Sequence, residues 1–367
     1  MFNFDSSMEV KEKDQQKKII RVFLQKNKTS KFNILIDGSN LYMRAMMVKS
    51  YEQSNFVGQD ISILKRSVYS FLYVLKNIYS SIDKTQIDNI FISFDRGGSV
   101  RHRELLPTYK NKQVNIFAGL SPSDRDEEGR QFSILLNWLS TIPKVKIFHI
   151  TYAEGDLVLS YLITKHLLKN RNVLVSGDRD FLQLLTYYPS LLFYYVNNKR
   201  NEFYDIFTFN DVLKFDEKLS TKEYLIFKVL VGDTSDNIPG IKGVGEKTAI
   251  EIIKNIREKS KSISEGQKID ATSVLIESIK EFKSQKETDE ELKNILVRNF
   301  KLMSLTNFDL LSFEQKKEID FIFEKQPIKY SVSESLQQMS HVLDKENIKL
   351  SVENFLFLQS ILSPSKE

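Results

Sequence analysis

The sequence predicts an α/β fold in which a mostly parallel central sheet is flanked by helices and followed by a helical second domain. Three observations carry that reading. Strand-like and helical stretches alternate between residues 32 and 176, the pattern of a parallel sheet with crossover helices. Apolar runs in that region close on acidic residues at Asp37, Asp95 and Asp178. Past about residue 206 the β pattern fades, and the chain reads as mostly helical to its end.

Taken in order, residues 1–30 are rich in Lys and Gln and read as an extension, with one short amphipathic stretch at Ile19, Ile20, Val22, Phe23 and Leu24. Its expected form is a loosely attached helix or a disordered arm. Strands are expected over 32–36, 90–94, 145–150 and 173–176, and helices over 61–78 and 156–168. Residues 31–205 then form the α/β unit, and 206–367 a helical domain with a C-terminal tail. Lys, Ser and Glu crowd residues 258–268, which suggests an exposed linker or helix end. The apolar stretch 352–362 is expected to pack back onto the domain.

Composition narrows the chemistry. With 367 residues and 41% hydrophobic content, the chain can bury two cores. Cysteine is absent, which excludes disulfides and thiolate metal sites, and the four scattered histidines do not form a zinc pattern. Hard cations bound by oxygen remain. No apolar run approaches the roughly 18 residues of a membrane span, and the first residues lack a basic-then-apolar leader, so a soluble, cytoplasmic protein without membrane contact is expected. A net charge of +5 is compatible with a polyanionic partner.

In parallel sheets, ligands bind beyond the carboxyl ends of the strands. There Asp37 leads into Gly38, Ser39 and Asn40, a sequence that equally makes a tight turn with Ser39 or Asn40 as a helix cap. Asp95 is followed by the cations Arg101, His102, Arg103, Lys110 and Lys112 and by Tyr109. A basic segment beside an acid can stabilise charge on a phosphodiester, or be a solvated helix face. Glu154 and Asp156 precede an amphipathic helix, where acids also compensate the helix dipole. Asp178 and Asp180, one residue apart in a turn after a buried strand, suit bridging metal ligation. Asp233 and Asp236 add to the acids, and the glycine-rich turn after them exposes backbone N–H groups before a helix from about Glu246. Lys242 and Lys247 reinforce that anion site. So many anions converge only if divalent cations neutralise them.

These motifs, in this order, resemble the flap endonuclease and 5′→3′ exonuclease family, nearest its phage replicative ribonuclease H branch. The resemblance covers roughly residues 31–310. It rests on Ile36-Asp37-Gly38, Phe94-Asp95, Tyr109-Lys110, Glu154-Gly155-Asp156, Gly177-Asp178-Arg179-Asp180-Phe181 and the segment 232–249. It implies a PIN-like nuclease domain with an arch or gateway at about 97–130, and a helix-three-turn-helix DNA-binding motif in the second domain. It further implies two Mg²⁺, with Mn²⁺ able to substitute. One subset of Asp37, Asp95, Glu154 and Asp156, and another of Asp178, Asp180, Asp233 and Asp236, would hold them, and two-metal hydrolysis would give a 5′-phosphate product. The implied catalytic group is Lys110 with Asp37, Asp95, Asp156 and Asp178. Implied nucleic-acid contacts are Arg101, Arg103, Tyr109, Lys110, Lys112, Lys242, Gly243, Gly245, Lys247 and Thr248, with K⁺ on carbonyls of the turn.

Substrates implied by the resemblance are branched or nicked duplex DNA and RNA–DNA hybrids with a 5′ single strand, processed in replication by a monomer in a bacterial or phage-infected cytoplasm. A single-strand-binding protein or sliding clamp is a further expected partner. Two departures stand out: Leu157 follows Asp156 where many relatives carry a second acid, and Gln113 lies where many carry Arg. The competing readings are a non-catalytic nucleic-acid-binding scaffold of the same fold and a single-strand ribonuclease with a similar acid-lined domain.

Overall fold

The computed structural model describes residues 18–20, 23, 31–47, 63–81, 86–111, 122–142, 144–187, 190–197, 201–261, 271–282, 287–325 and 332–362. Six strands form one sheet: β1 Phe32–Asp37, β2 Ile87–Ser93, β3 Val145–Phe148, β4 Arg171–Ser176, β5 Leu191–Tyr195 and β6 Glu202–Tyr204. Their spatial order is β3-β2-β1-β4-β5-β6, parallel throughout except for the antiparallel β5–β6 pair. β1 and β4 are buried at every position because helices cover both faces, which is why they read as near-continuous apolar runs. The chain steps outward from β1 to β3, then returns to β4 on the other side of β1. That reversal opens a crevice at the carboxyl ends of the central strands.

Register in the sheet centre has a polar component. Asn33 faces Asn172 across β1 and β4 and donates to its Oδ1 at 3.2 Å, while Asn89 of β2 donates to Asn33 Oδ1 at 3.2 Å. A slip by one residue would leave these buried amides unpaired.

Each face of the sheet carries its own core. On one face Leu35, Phe91, Leu174 and Phe193 run continuously into Leu230, Ile252 and Leu296 of the C-terminal helices, so the helical part is seated on the sheet. On the other, Ile34, Ile36, Ile92 and Val175 pack with Phe71, Leu75 and Trp138. Helices Thr221–Val231, Asp289–Met303 and Phe313–Glu324 each begin with a capping box, formed by Ser220 with Glu223, Thr288 with Glu291 and Ser312 with Gln315. Between Thr221–Val231 and Glu246–Lys261 the chain folds tightly. Gly232 takes φ +84°, and a Cβ on Gly240 would lie 2.2 Å from the Val231 carbonyl oxygen.

The α/β fold with its mostly parallel sheet and helical second part is as the sequence predicts, with four differences in detail. β5 and β6 extend the sheet, although Leu191-Leu-Phe-Tyr-Tyr is as apolar as any other strand. The helix expected over 156–168 is α-helical only across Gly155–Tyr161 and continues as a π-turn over Leu162–His166. Helices Val332–Lys345 and Val352–Leu362 pack back onto the α/β unit, not onto the helices with which residues 206–367 were grouped. Met339, Leu343 and Leu358 enter the second core, and Tyr69 Oη donates to the Lys349 carbonyl at 2.8 Å. Ile19 and Phe23 are buried in that core too, where Arg171 Nη1 donates to the Phe23 carbonyl at 3.2 Å, so these two residues are anchored to the α/β unit. Ile20 packs against the same core, whereas residues 1–17, 21, 22 and 24–30 of the expected extension and residues 262–268 of the expected linker lie outside the described residues.

Candidate active site

The strand order brings the predicted acids to one rim. Asp37 ends β1, where its Oδ1 accepts the Asn40 N–H at 2.9 Å and its Oδ2 accepts the Ser176 hydroxyl at 2.7 Å from the end of β4. Asp95, two residues beyond β2, accepts the Gly155 N–H at 2.6 Å, and its own N–H donates to Ser39 Oγ at 2.7 Å. Asp178 follows β4 and accepts the Asp180 N–H at 2.8 Å. Glu154 stands at the N-cap position of Gly155–Tyr161 without making a side-chain cap bond, so simple capping does not account for it. Asp156 accepts the N–H of Leu157 at 2.6 Å. Leu157 itself is buried in the core.

Electrostatics join the eight carboxylates into one unit. Burial pushes Asp37 up to about 7, with Asp95 and Asp178 adding repulsion against the two hydrogen bonds that favour its charge. Burial, then Asp178, raises Asp180 to about 6. Asp156 is held well above the usual carboxylate range, first by burial and next by Glu154. Glu154, Asp178 and Asp236 are raised mainly by burial. Asp233 goes the other way, to about 2: burial opposes its charge, but the Lys228 ammonium outweighs it.

Two lysines sit inside this anionic unit. Lys110 pairs with Glu154, and Lys228 Nζ lies 2.9 Å from Asp180 Oδ1 and 2.5 Å from Asp233 Oδ2. Lys110 adopts φ +54°, and its N–H donates to the Asp236 carbonyl at 2.8 Å. Tyr109 Oη donates to Asp236 Oδ2 at 3.3 Å, and Asn237 Nδ2 donates to the Thr108 carbonyl at 2.7 Å. The turn carrying Lys110 is thus clipped to the turn carrying Asp236. His102 stacks on Tyr109 with ring centroids 4.6 Å apart, and burial pushes its pKa down to about 3, so it is a neutral support.

Among the described residues, no group of three or more acids and histidines is already arranged to hold an ion. Their oxygens are engaged with Lys110, Lys228, Ser176 and backbone N–H groups instead. The donor set itself is all oxygen, mostly half-buried and in excess of its two lysines, and that chemistry fits hard divalent cations.

The other predicted residues are placed as follows. Arg101 and Arg103 are exposed on Val100–Leu105, Arg101 donating to the Asp309 carbonyl at 2.8 Å. Tyr109 is buried, and its ring is spent on His102 and Asp236. Lys112 and Gln113 lie outside the described residues. Lys242, Gly243, Gly245 and Lys247 are exposed and Thr248 half-buried at the start of Glu246–Lys261, held over the buried Ile241 and Val244. Sequence reasoning missed Lys228, whose signal is a lone cation inside the apolar run Tyr224-Leu-Ile-Phe-Lys-Val-Leu-Val. It also missed Asn40 and Ser176, which orient the loops of β1 and β4: Asn40 Oδ1 accepts the Gly177 N–H at 3.0 Å.

Residues 33–214 match the family model described as 5′-3′ exonuclease, N-terminal resolvase-like domain, and residues 219–316 match 5′-3′ exonuclease, C-terminal SAM fold. The chain is 27% identical over 221 residues to a 5′-3′ exonuclease of Bacillus subtilis, covering 60% of this chain and 69% of the relative. It is 26% identical over 221 residues to DNA polymerase I of Streptococcus pneumoniae, covering 60% of this chain but only 23% of the polymerase. Its fold is similar to that of bacteriophage T5 5′-exonuclease with zinc bound, with a TM-score of 0.55 and 21% identity over 80% of this chain and 99% of the other. The T5 flap endonuclease in a pseudo-enzyme-product complex with DNA and metal ions gives a TM-score of 0.54 and 20% identity over 80% and 100%.

Proposed function

The chain belongs to the 5′-3′ exonuclease family, and on that premise we propose that it is a structure-specific 5′ nuclease acting on flapped or nicked duplexes during DNA replication, RNA primers among its 5′ strands. The observation that carries this reading is the single electrostatic unit of eight carboxylates and two lysines at the reversal point of the sheet.

A subset of Asp37, Asp95, Glu154 and Asp156 would hold one divalent cation, and a subset of Asp178, Asp180, Asp233 and Asp236 a second, with Asp178 near enough to both groups to be shared, Mg²⁺ in the cell with Mn²⁺ able to replace it. When bound, such ions supply an activated water and neutralise the leaving oxygen of a phosphodiester. The chain's own groups do the rest. Lys110, which pairs with Glu154 among the acids, would offer positive charge to the scissile phosphate. Ser176 and Asn40 orient Asp37, and the Gly155 N–H orients Asp95. Lys228 keeps Asp233 ionised. The exposed turn over residues 242–247 at the start of Glu246–Lys261, with Lys242 and Lys247, would grip the duplex backbone irrespective of sequence.

The test is a substrate series with one labelled 5′ strand presented as a flap, as a recessed end in duplex, as an RNA–DNA hybrid and as free single strand. A structure-specific nuclease cuts next to duplex and leaves the free strand largely intact. Equal cutting of the free strand would reject the assignment in favour of a single-strand ribonuclease.

A further inference from the structure

Tyr152 stands out from the residues around the acids. It lies two positions before Glu154, the residue is 55% exposed, and its backbone adopts φ +59°, a conformation that residues other than Gly, Asn and Asp rarely take. The strained turn is held on both sides. Its N–H donates to the Arg96 carbonyl at 2.6 Å, the Arg96 N–H reaches the Ala153 carbonyl at 3.5 Å, and the Thr151 carbonyl accepts from Gln315 Nε2 at 2.8 Å. The ring lies against Gly97, itself at φ +74°, where a Cβ would come 3.1 Å from Tyr152 Cδ1. Two positive-φ residues are therefore spent on laying one aromatic ring beside the loops that carry Asp95 and Glu154.

Next to the ring is an open recess of about 470 Å³, lined in part by Val100, Arg101, Glu104, Glu314 and Glu318. Arg101 donates to the Asp309 carbonyl, and the recess sets three glutamates against that one guanidinium, so its net charge is negative. Such a recess repels a phosphate but admits an uncharged ring, and an exposed aromatic at its edge offers a stacking face. We infer that Tyr152 is a base-stacking residue, receiving an unpaired nucleobase of the 5′ strand next to the scissile phosphate. The inference rests on the nuclease reading above and adds a recognition residue to it. Stacking of this kind tolerates any base, since every base has a π-face.

The test uses a synthetic 5′-flap duplex carrying 2-aminopurine in the flap at the base beside the junction, with Ca²⁺ in place of Mg²⁺ so that no cleavage intervenes. Binding to the full chain should quench the fluorescence, and Tyr152→Phe should preserve both quenching and affinity. Tyr152→Leu should lose the quenching and bind about tenfold more weakly. Tyr152→Gly removes the backbone strain, so it should fold with an undiminished thermal midpoint yet show the same loss. Wild-type affinity and quenching in the Leu and Gly variants would overturn the inference alone. A wild-type protein that binds no flapped duplex would overturn the nuclease reading and this inference with it.

Discussion

Lys228 Nζ lies 2.5 Å from Asp233 Oδ2, and the same ammonium reaches Asp180 Oδ1 at 2.9 Å. One half-buried cation thereby joins an acid just after β4 to an acid beyond the helix Thr221–Val231. Burial works against the charge on Lys228, but Asp180 and Asp233 hold its pKa well above the ordinary range. The free protein therefore carries its own counter-charge where two acids would otherwise repel.

Lys228→Met should destabilise the ion-free protein by at least about 1–3 kcal/mol, the cost of leaving partly desolvated carboxylates without their cation. Added Mn²⁺ should recover more stability in the variant than in wild type, because the freed carboxylates gain a cation. Denaturant unfolding with and without Mn²⁺ measures both effects, and an unchanged unfolding midpoint without Mn²⁺ contradicts the account.

Gly232→Ala should be costly for a different reason. Gly232 holds φ +84° and ψ −175°, a region open essentially to glycine, and a Cβ there would meet the Gly240 nitrogen at 2.3 Å. A loss of at least about 1–3 kcal/mol is expected. Since Asp233 is the next residue, cleavage should fall further than the fraction of folded protein; thermal melts beside turnover rates distinguish the two.

The acids were legible in the sequence because each closes an apolar run or stands in a short polar turn, and strand alternation told which end of the sheet they share. The partners of those acids were not. Lys228 is remote from Asp180 in sequence, and only the packing of Thr221–Val231 onto the segment Arg179–Tyr187 brings them together. Likewise Tyr109 reads as a surface contact from its basic surroundings, yet desolvation and stacking on His102 make it a buried strut. β5 was missed because an apolar run of five residues carries no period that separates strand from helix.

Stability should depend on acid pH through Glu223. Arg257 hydrogen-bonds its carboxylate, Nε to Oε1 at 2.5 Å, and holds its pKa near about 2 against an ordinary 4.5. A depressed folded-state pKa contributes stability that is complete above the ordinary value and is lost as pH falls toward about 2. Glu223→Gln, which retains the capping geometry at Ser220, should lower stability at neutral pH and flatten its decline between pH 4.5 and 2. Urea midpoints at pH 7, 4 and 3 provide the comparison; parallel declines in the two proteins would remove Glu223 from the explanation.

Lys110→Met should reduce cleavage by about 10²–10³-fold, the scale of losing one preorganised electrostatic group, while duplex affinity changes little. Single-turnover rates at saturating enzyme isolate the chemical step from binding. A variant that cuts at the wild-type rate once bound would confine Lys110 to holding the turn against Asp236.

The most direct test of the acid cluster as a nuclease centre is cleavage of a 5′-labelled flap duplex, with and without Mg²⁺, by wild type and Asp178→Asn. The account predicts product from wild type only, and only with Mg²⁺, with the variant at least about a hundredfold slower and still bound to the duplex. Equal cleavage by the variant, or tight duplex binding by both proteins with no product under either condition, would contradict it.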